Sequence, residues 1–228
     1  MADHITEEEQ IEALKRWWDE NGKQTILAIA LVVGGYFGWQ AWTDHNAEQA
    51  SAASLTYQEM LDTLADLNPG ETLAEDKQAA VIVLADKLKA EYGGSQYAVY
   101  AALTKARFAV EGNDLDTAAS ELQWALDSAN KVSTFVVRLR LARVEAARGN
   151  LDEALLLVQG IDAGELNSAF EEAKGDFYLE QGNRAAAYTA YQSALATEAS
   201  GDSSVRALLE LKIGLVQPAE LNEPATEQ

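Results

Sequence analysis

The chain contains no cysteine. That excludes disulfides, thiolate zinc sites and a cysteine nucleophile. Histidine is nearly missing too: His4 and His45 are the only two, far apart and without a second ligand at metal-binding spacing. Cations are scarce, 17 Lys and Arg against 37 Asp and Glu, for a formal net charge of −20. A phosphate backbone needs clustered Lys and Arg to release its counterions, so nucleic acid is a poor partner for this surface. With three prolines and few β-branched runs outside one N-terminal stretch, little interrupts helix formation. No glycine-rich phosphate loop, nucleophile elbow or His-Glu-x-x-His occurs. Carboxylate pairs such as Glu75/Asp76, Asp152/Glu153 and Glu171/Glu172 are sequence neighbours, and therefore point to different parts of a helix surface. No active site assembles from these parts, and neither a cofactor nor an enzymatic activity is expected.

What the chain does have, first, is one apolar run. From Gln24 to Thr43 no residue is charged. At about 1.5 Å per residue such a helix covers the ~30 Å hydrocarbon core of a bilayer. Trp17 and Trp18 precede it, and Tyr36, Trp39 and Trp42 gather at its other end, the distribution of interfacial aromatics. Lys15, Arg16 and Lys23 lie before the run and the next cation is Lys77, so the N-terminus is expected in the cytoplasm and the rest across the membrane. Ala50-Ser51-Ala52 fits a signal-peptide cleavage pattern, but it lies well beyond the run, and the preceding region is long and acidic. An uncleaved anchor is the better reading. Ala30, Gly34 and Gly38 recur every fourth residue, a lane of small side chains on which another membrane helix can pack. Ile11, Leu14, Trp17 and Trp18 share a face of a short stretch suited to the membrane interface.

Second, the chain repeats itself. Residues 112–126 (GNDLDTAASELQWAL) are echoed by 149–161 (GNLDEALLLVQGI) and 182–195 (GNRAAAYTAYQSAL). Gly149 and Gly182 stand 33 residues apart, and Ala118, Ala154 and Ala187 follow at 36 and 33, around the ~34-residue tetratricopeptide period. Gly-Asn permits the left-handed turn that ends one helix, Asp114 or Asp152 supplies a carboxylate to the first turn of the next, and the Ala positions mark where paired helices cross. Gly175 and Tyr178 match the small and aromatic positions of a first helix in the third unit. Units are expected at 98–131, 135–166 and 168–199, preceded by helices at 46–67 and 73–91 around Asn68-Pro69-Gly70 and followed by one at 203–216. The expected organisation is a cytoplasmic tail at 1–23, a transmembrane helix at 24–43, an all-α tetratricopeptide-like solenoid at 44–216 and a loose tail at 217–228. The part after the anchor holds 30 acidic and 14 basic residues.

In stacked helical hairpins the first helix of each unit lines the inner face. Register places Tyr100, Leu103, Arg107 and Val110 there in the first unit, Val136, Leu139, Arg143 and Ala146 in the second, and Ala169, Glu172, Asp176 and Leu179 in the third. Arg107 and Arg143 are equivalent. A mixed apolar and charged groove suits an extended polypeptide, although several of the Leu and Val positions fit inter-repeat core somewhat better.

The segments EEEQIEALKRWWDENGKQTILAIALVVGGYFGWQAW, SAASLTYQEML and LRLARVEAARGNLDEAL, in that order, resemble the YfgM-type ancillary subunit of the SecYEG translocon. The resemblance implies a bacterial inner-membrane protein with its repeat domain in the periplasm. It also implies association with the translocon and with a PpiD-type membrane-anchored prolyl isomerase, and a part in passing exported polypeptides to periplasmic chaperones. The alternative is a membrane-anchored scaffold for another cell-envelope complex.

Overall fold

The structure is a computed structural model that describes residues 7–65, 74–199 and 201–217. Among the described residues all regular structure is helical: α1 (Glu7–Ala65), α2 (Glu75–Glu91), α3 (Gln96–Glu111), α4 (Leu115–Ser128), α5 (Thr134–Ala147), α6 (Leu151–Val158), a 3-10 turn (Gly164–Leu166), α7 (Asn167–Glu180), α8 (Arg184–Ala196) and α9 (Ser203–Val216). His4, the Asn68-Pro69-Gly70 turn and positions 218–228 lie outside the described residues. The chain divides into two compact units, Met1–Ala52 and Ala53–Gln228.

In the first unit, α1 is unbroken through tail and apolar run, because neither contains proline and no capping residue stops it. It holds the one stretch among the described residues long and apolar enough to cross a membrane, and none of that stretch is buried by protein. The two threonines of the apolar run satisfy their own hydroxyls. The Thr25 hydroxyl donates to the Asn21 carbonyl at 3.0 Å and that of Thr43 to the Trp39 carbonyl at 2.9 Å, which hides a hydroxyl at each end of the run. The Trp18 indole folds back over Gly22, its ring atoms 3.2 Å from where a Cβ would stand.

In the second unit, the last turns of α1 pack with α2 and α3 around Ala53, Met60, Val81, Ala85, Leu88 and Phe108. Three hairpins follow: α3/α4, α5/α6 and α7/α8, with α9 packed on α8. Ala118, Ala154 and Ala187 are wholly buried at the crossings, where the missing bulk lets the helix axes approach.

The turns show how the repeats align. Gly149 (φ 85°) and Gly182 (φ 79°) are left-handed as expected, but in the first unit that conformation belongs to Asn113 (φ 58°), and Gly112 is right-handed. The first turn is therefore one residue longer, and Asp114 aligns with Asn150 and Asn183. Asp114 is consequently the N-cap of α4, its carboxylate accepting from the Thr117 N–H at 3.1 Å, and not a first-turn residue. Asp152 does occupy the first turn of α6. Asn183 caps α8 in the same way, accepting from Ala186 N–H at 3.1 Å. Such caps stabilise by about 1 kcal/mol where the cap is an amide.

Candidate functional site

The inner helices build two different places. Between α3 and α5 an open cavity of about 410 Å³ is lined by Leu103, Ala106, Arg107, Val110, Glu111, Leu122, Arg140, Arg143 and Val144. Ser95 starts α3 by accepting from the Ala98 N–H at 3.2 Å. Its buried face carries Val99, Ala102 and Ala106, and the opposite shoulder leaves Leu103, Arg107 and Val110 facing the cavity. The wall is apolar and the rim is cationic. Arg107 Nε donates to Glu111 at 2.7 Å. Arg140 and Arg143 are exposed, one turn apart on α5, and neither is paired with a carboxylate among the described residues.

Of the residues expected on the groove, Leu103, Arg107, Val110 and Arg143 line this cavity. Val136 is half-buried nearby in sequence on α5, while Tyr100 stays exposed and its ring stands 5.9 Å from that of Tyr57. Leu139 and Ala146 correct the expectation. They are 7% and 5% exposed and belong to the core formed with Phe170 and Ala173. The reason is geometric. An inner helix sits between two neighbours, so one flank of α5 (Arg140, Val144) turns to α3 while the other is covered by the α6–α7 side of the stack. Arg140 escaped the register argument because it is one position past Leu139, about 100° round the helix. The run Arg138, Arg140, Arg143 in an acidic chain was the signal for it.

The third unit is closed by α9. Lys212 Nζ donates to Glu172 and to Asp176, each at 2.7 Å, so both carboxylates already hold a cation. Tyr191 donates its hydroxyl to Asp176 at 2.7 Å, and Lys212 also lies 5.5 Å from the centre of the Tyr191 ring. Burial, then the hydrogen bond to Asp176, push the Tyr191 phenol well above its ordinary range. Burial pulls Lys212 down, but its bonds to Asp176 and Glu172 outweigh it and the ammonium is held above its usual value. Ala169 is half-buried against the second-unit core, and Leu179 remains exposed. Among the described residues no three His, Asp or Glu side chains gather as metal ligands.

In the apolar run, a Cβ at Gly34 or Gly38 would meet nothing within 4 Å beyond the helix's own neighbouring backbone, and Ala30 on the same line is exposed. Within the first unit the lane is thus uncovered.

A family model described as a tetratricopeptide repeat-like domain matches residues 15–217. A protein of Haemophilus influenzae named ancillary SecYEG translocon subunit is 35% identical over 214 residues, covering 93% of this chain and 98% of that one. Relatives of the same name from Aggregatibacter actinomycetemcomitans and Escherichia coli are 33% and 29% identical, the first over 85% of this chain and 91% of its own, the second over 93% and 98%. No solved structure matches the chain.

Proposed function

The chain belongs to the tetratricopeptide repeat-like family of ancillary SecYEG translocon subunits, and on that premise we propose a membrane-anchored, non-enzymatic protein-binding factor working beside the Sec translocon. The observation that carries this reading is the extent of the similarity: it runs from the approach to the anchor through the last hairpin, with 98% of the Haemophilus influenzae and Escherichia coli proteins covered. The α3–α5 cavity supports it, since an apolar cleft with a polar rim on stacked hairpins suits a polypeptide segment.

In this reading α1 spans the bacterial inner membrane with Lys15, Arg16 and Lys23 on the cytoplasmic side. The Ala30/Gly34/Gly38 lane packs on a translocon helix. The repeat domain stands in the periplasm, where it meets a PpiD-type anchored prolyl isomerase and helps pass newly exported polypeptides to chaperones. Photo-crosslinking in intact membranes tests this, with probes at Gly34, Gly38, Leu103 and Arg143. Adducts of the anchor probes with translocon subunits, and of the domain probes with a periplasmic folding factor or an exporting chain, are expected. Capture of an unrelated envelope complex at every position, with the protein well expressed, would replace this reading with that of an anchored scaffold.

A further inference from the structure

We propose that the α3–α5 cavity accepts one kind of segment: an extended stretch of polypeptide carrying an apolar side chain flanked by carboxylates. The inference rests on the reading of the groove as a polypeptide-binding surface and adds the chemistry that the groove selects.

The floor selects for the apolar side chain. Leu103 and Val110 present hydrocarbon to solvent above the buried Ala106, Leu122 and Val144 in a cleft of about 410 Å³, within the ~300–1,000 Å³ of ligand-binding clefts. A leucine-sized group entering it leaves water on one side and covers Leu103 and Val110 on the other.

The rim selects for the flanks. Elsewhere in this domain several basic side chains hold carboxylates: Lys89 and Lys105 hold Glu121, Arg148 holds Asp116 and Glu145, Lys174 holds Glu171, and Lys212 holds Glu172 and Asp176. Arg140 and Arg143 hold no carboxylate among the described residues, in a chain of net charge −20. The one carboxylate in the lining, Glu111, is already taken by Arg107 at 2.7 Å. Two guanidinium groups one helical turn apart, at the mouth of an apolar cleft, therefore have ten N–H donors between them and no anion. A planar guanidinium meets a carboxylate with two parallel hydrogen bonds. The overall negative charge of the domain does not cancel this, because physiological salt screens exposed charges beyond about 8 Å. A seated segment feels the rim first. Lysine flanks would meet like charge there.

The test uses the full chain in lipid nanodiscs and three labelled peptides of equal length, read by fluorescence anisotropy. One has leucine between aspartates, one leucine between lysines, and one serine between aspartates. The first is expected to bind about tenfold or more tightly than either other, with affinity falling as salt rises. The variant R140E/R143E alters only exposed side chains and is expected to reverse the order of the two leucine peptides. The variant K131E/R206E makes the same change in net charge away from the cavity and leaves the order intact. Equal binding of the two leucine peptides, or an order that R140E/R143E does not change, overturns the proposal and leaves the broader reading standing. Binding of none of the three removes both. A probe at Leu103 that captures a second copy of the chain in place of peptide assigns the cleft to self-association and also overturns it.

Discussion

The ring of Tyr191 occupies the space a side chain at Gly175 would need: a Cβ there would stand 2.5 Å from Tyr191 Cδ1 and 3.0 Å from Cζ. Gly175 lies on α7 and Tyr191 on α8, so the two helices of the third hairpin meet at a point where one side has no side chain and the other has a large one. The hydroxyl of the same tyrosine then reaches Asp176, one residue further along α7. A glycine in a helix interior costs about 1 kcal/mol relative to alanine; here close packing more than offsets it.

Replacing that glycine by alanine should therefore destabilise the protein despite alanine's better helix propensity. G175A is expected to cost about 1–3 kcal/mol, the range for overpacking a filled core. Thermal unfolding followed by circular dichroism measures it. The G175A/Y191A pair should lose less than the sum of the single variants, because the clash is gone. Additive losses would mean that the ring and the added methyl do not compete.

Lys212 ties α9 to α7. Removing its charge in K212M leaves Glu172 and Asp176 facing each other without the cation between them, and unfolding should become easier by about 1–2 kcal/mol, discounted for partial exposure. The pH dependence follows from the direction of the shifts. Lys212 and Tyr191 are both held above their ordinary values in the folded state. Their contribution is fully present below pH ~10, the unfolded range of both groups, and is lost as pH rises through their folded values. Alkaline titration of the wild-type should thus loosen α9 first, seen as faster amide exchange in 203–216. In K212M that alkaline step should be smaller.

Glu121 is buried on α4 between two lysines, Lys89 of α2 and Lys105 of α3, and Lys105 also holds Asp86 at 2.6 Å. Lys89 lies over the Trp124 ring at 4.7 Å from its centre. E121Q keeps the shape and deletes the charge, so two partly buried cations share one neutral amide. A loss of about 2–4 kcal/mol is expected in chemical denaturation. An E121Q protein as stable as the parent would show that the network contributes nothing net.

The small lane of the anchor predicts a separation of effects. Among the described residues nothing beyond the helix's own neighbouring backbone lies within 4 Å of a Cβ at Gly34 or Gly38, so G34L and G38L should leave membrane insertion and the unfolding of the repeat domain unchanged. Co-isolation with translocon subunits should fall several-fold, because leucine prevents close approach of a second helix. Undiminished co-isolation of both variants would move the contact to another face.

Much of the architecture is legible in local pattern. An uncharged run of membrane length is a property of consecutive residues, and so is the recurrence of a left-handed turn before a capping side chain. The helix expected at 203–216 is α9 itself, Ser203–Val216, because Asp202 caps it by accepting from the Ser204 N–H at 2.8 Å. Even the displaced first turn had its trace in the sequence: Gly112-Asn113-Asp114 carries one residue more before its helix than Gly149-Asn150 or Gly182-Asn183, and asparagine tolerates the left-handed conformation that glycine takes in the other two.

The uncharged apolar run, the helical class, the hairpin period and the small residues at the crossings are all legible from the chain alone, because each is set by chemistry within a few turns of one helix. Only the tertiary structure decided which flank of α5 meets α3, and so placed Arg140 on the cavity while Leu139 and Ala146 went into the core. It alone brought Lys212 to Asp176 across 36 positions of chain. Helical periodicity places a residue on a face to within one step of about 100°. Which of two adjacent faces stays open depends on how the next hairpin stacks, and that is settled by side chains far away in sequence.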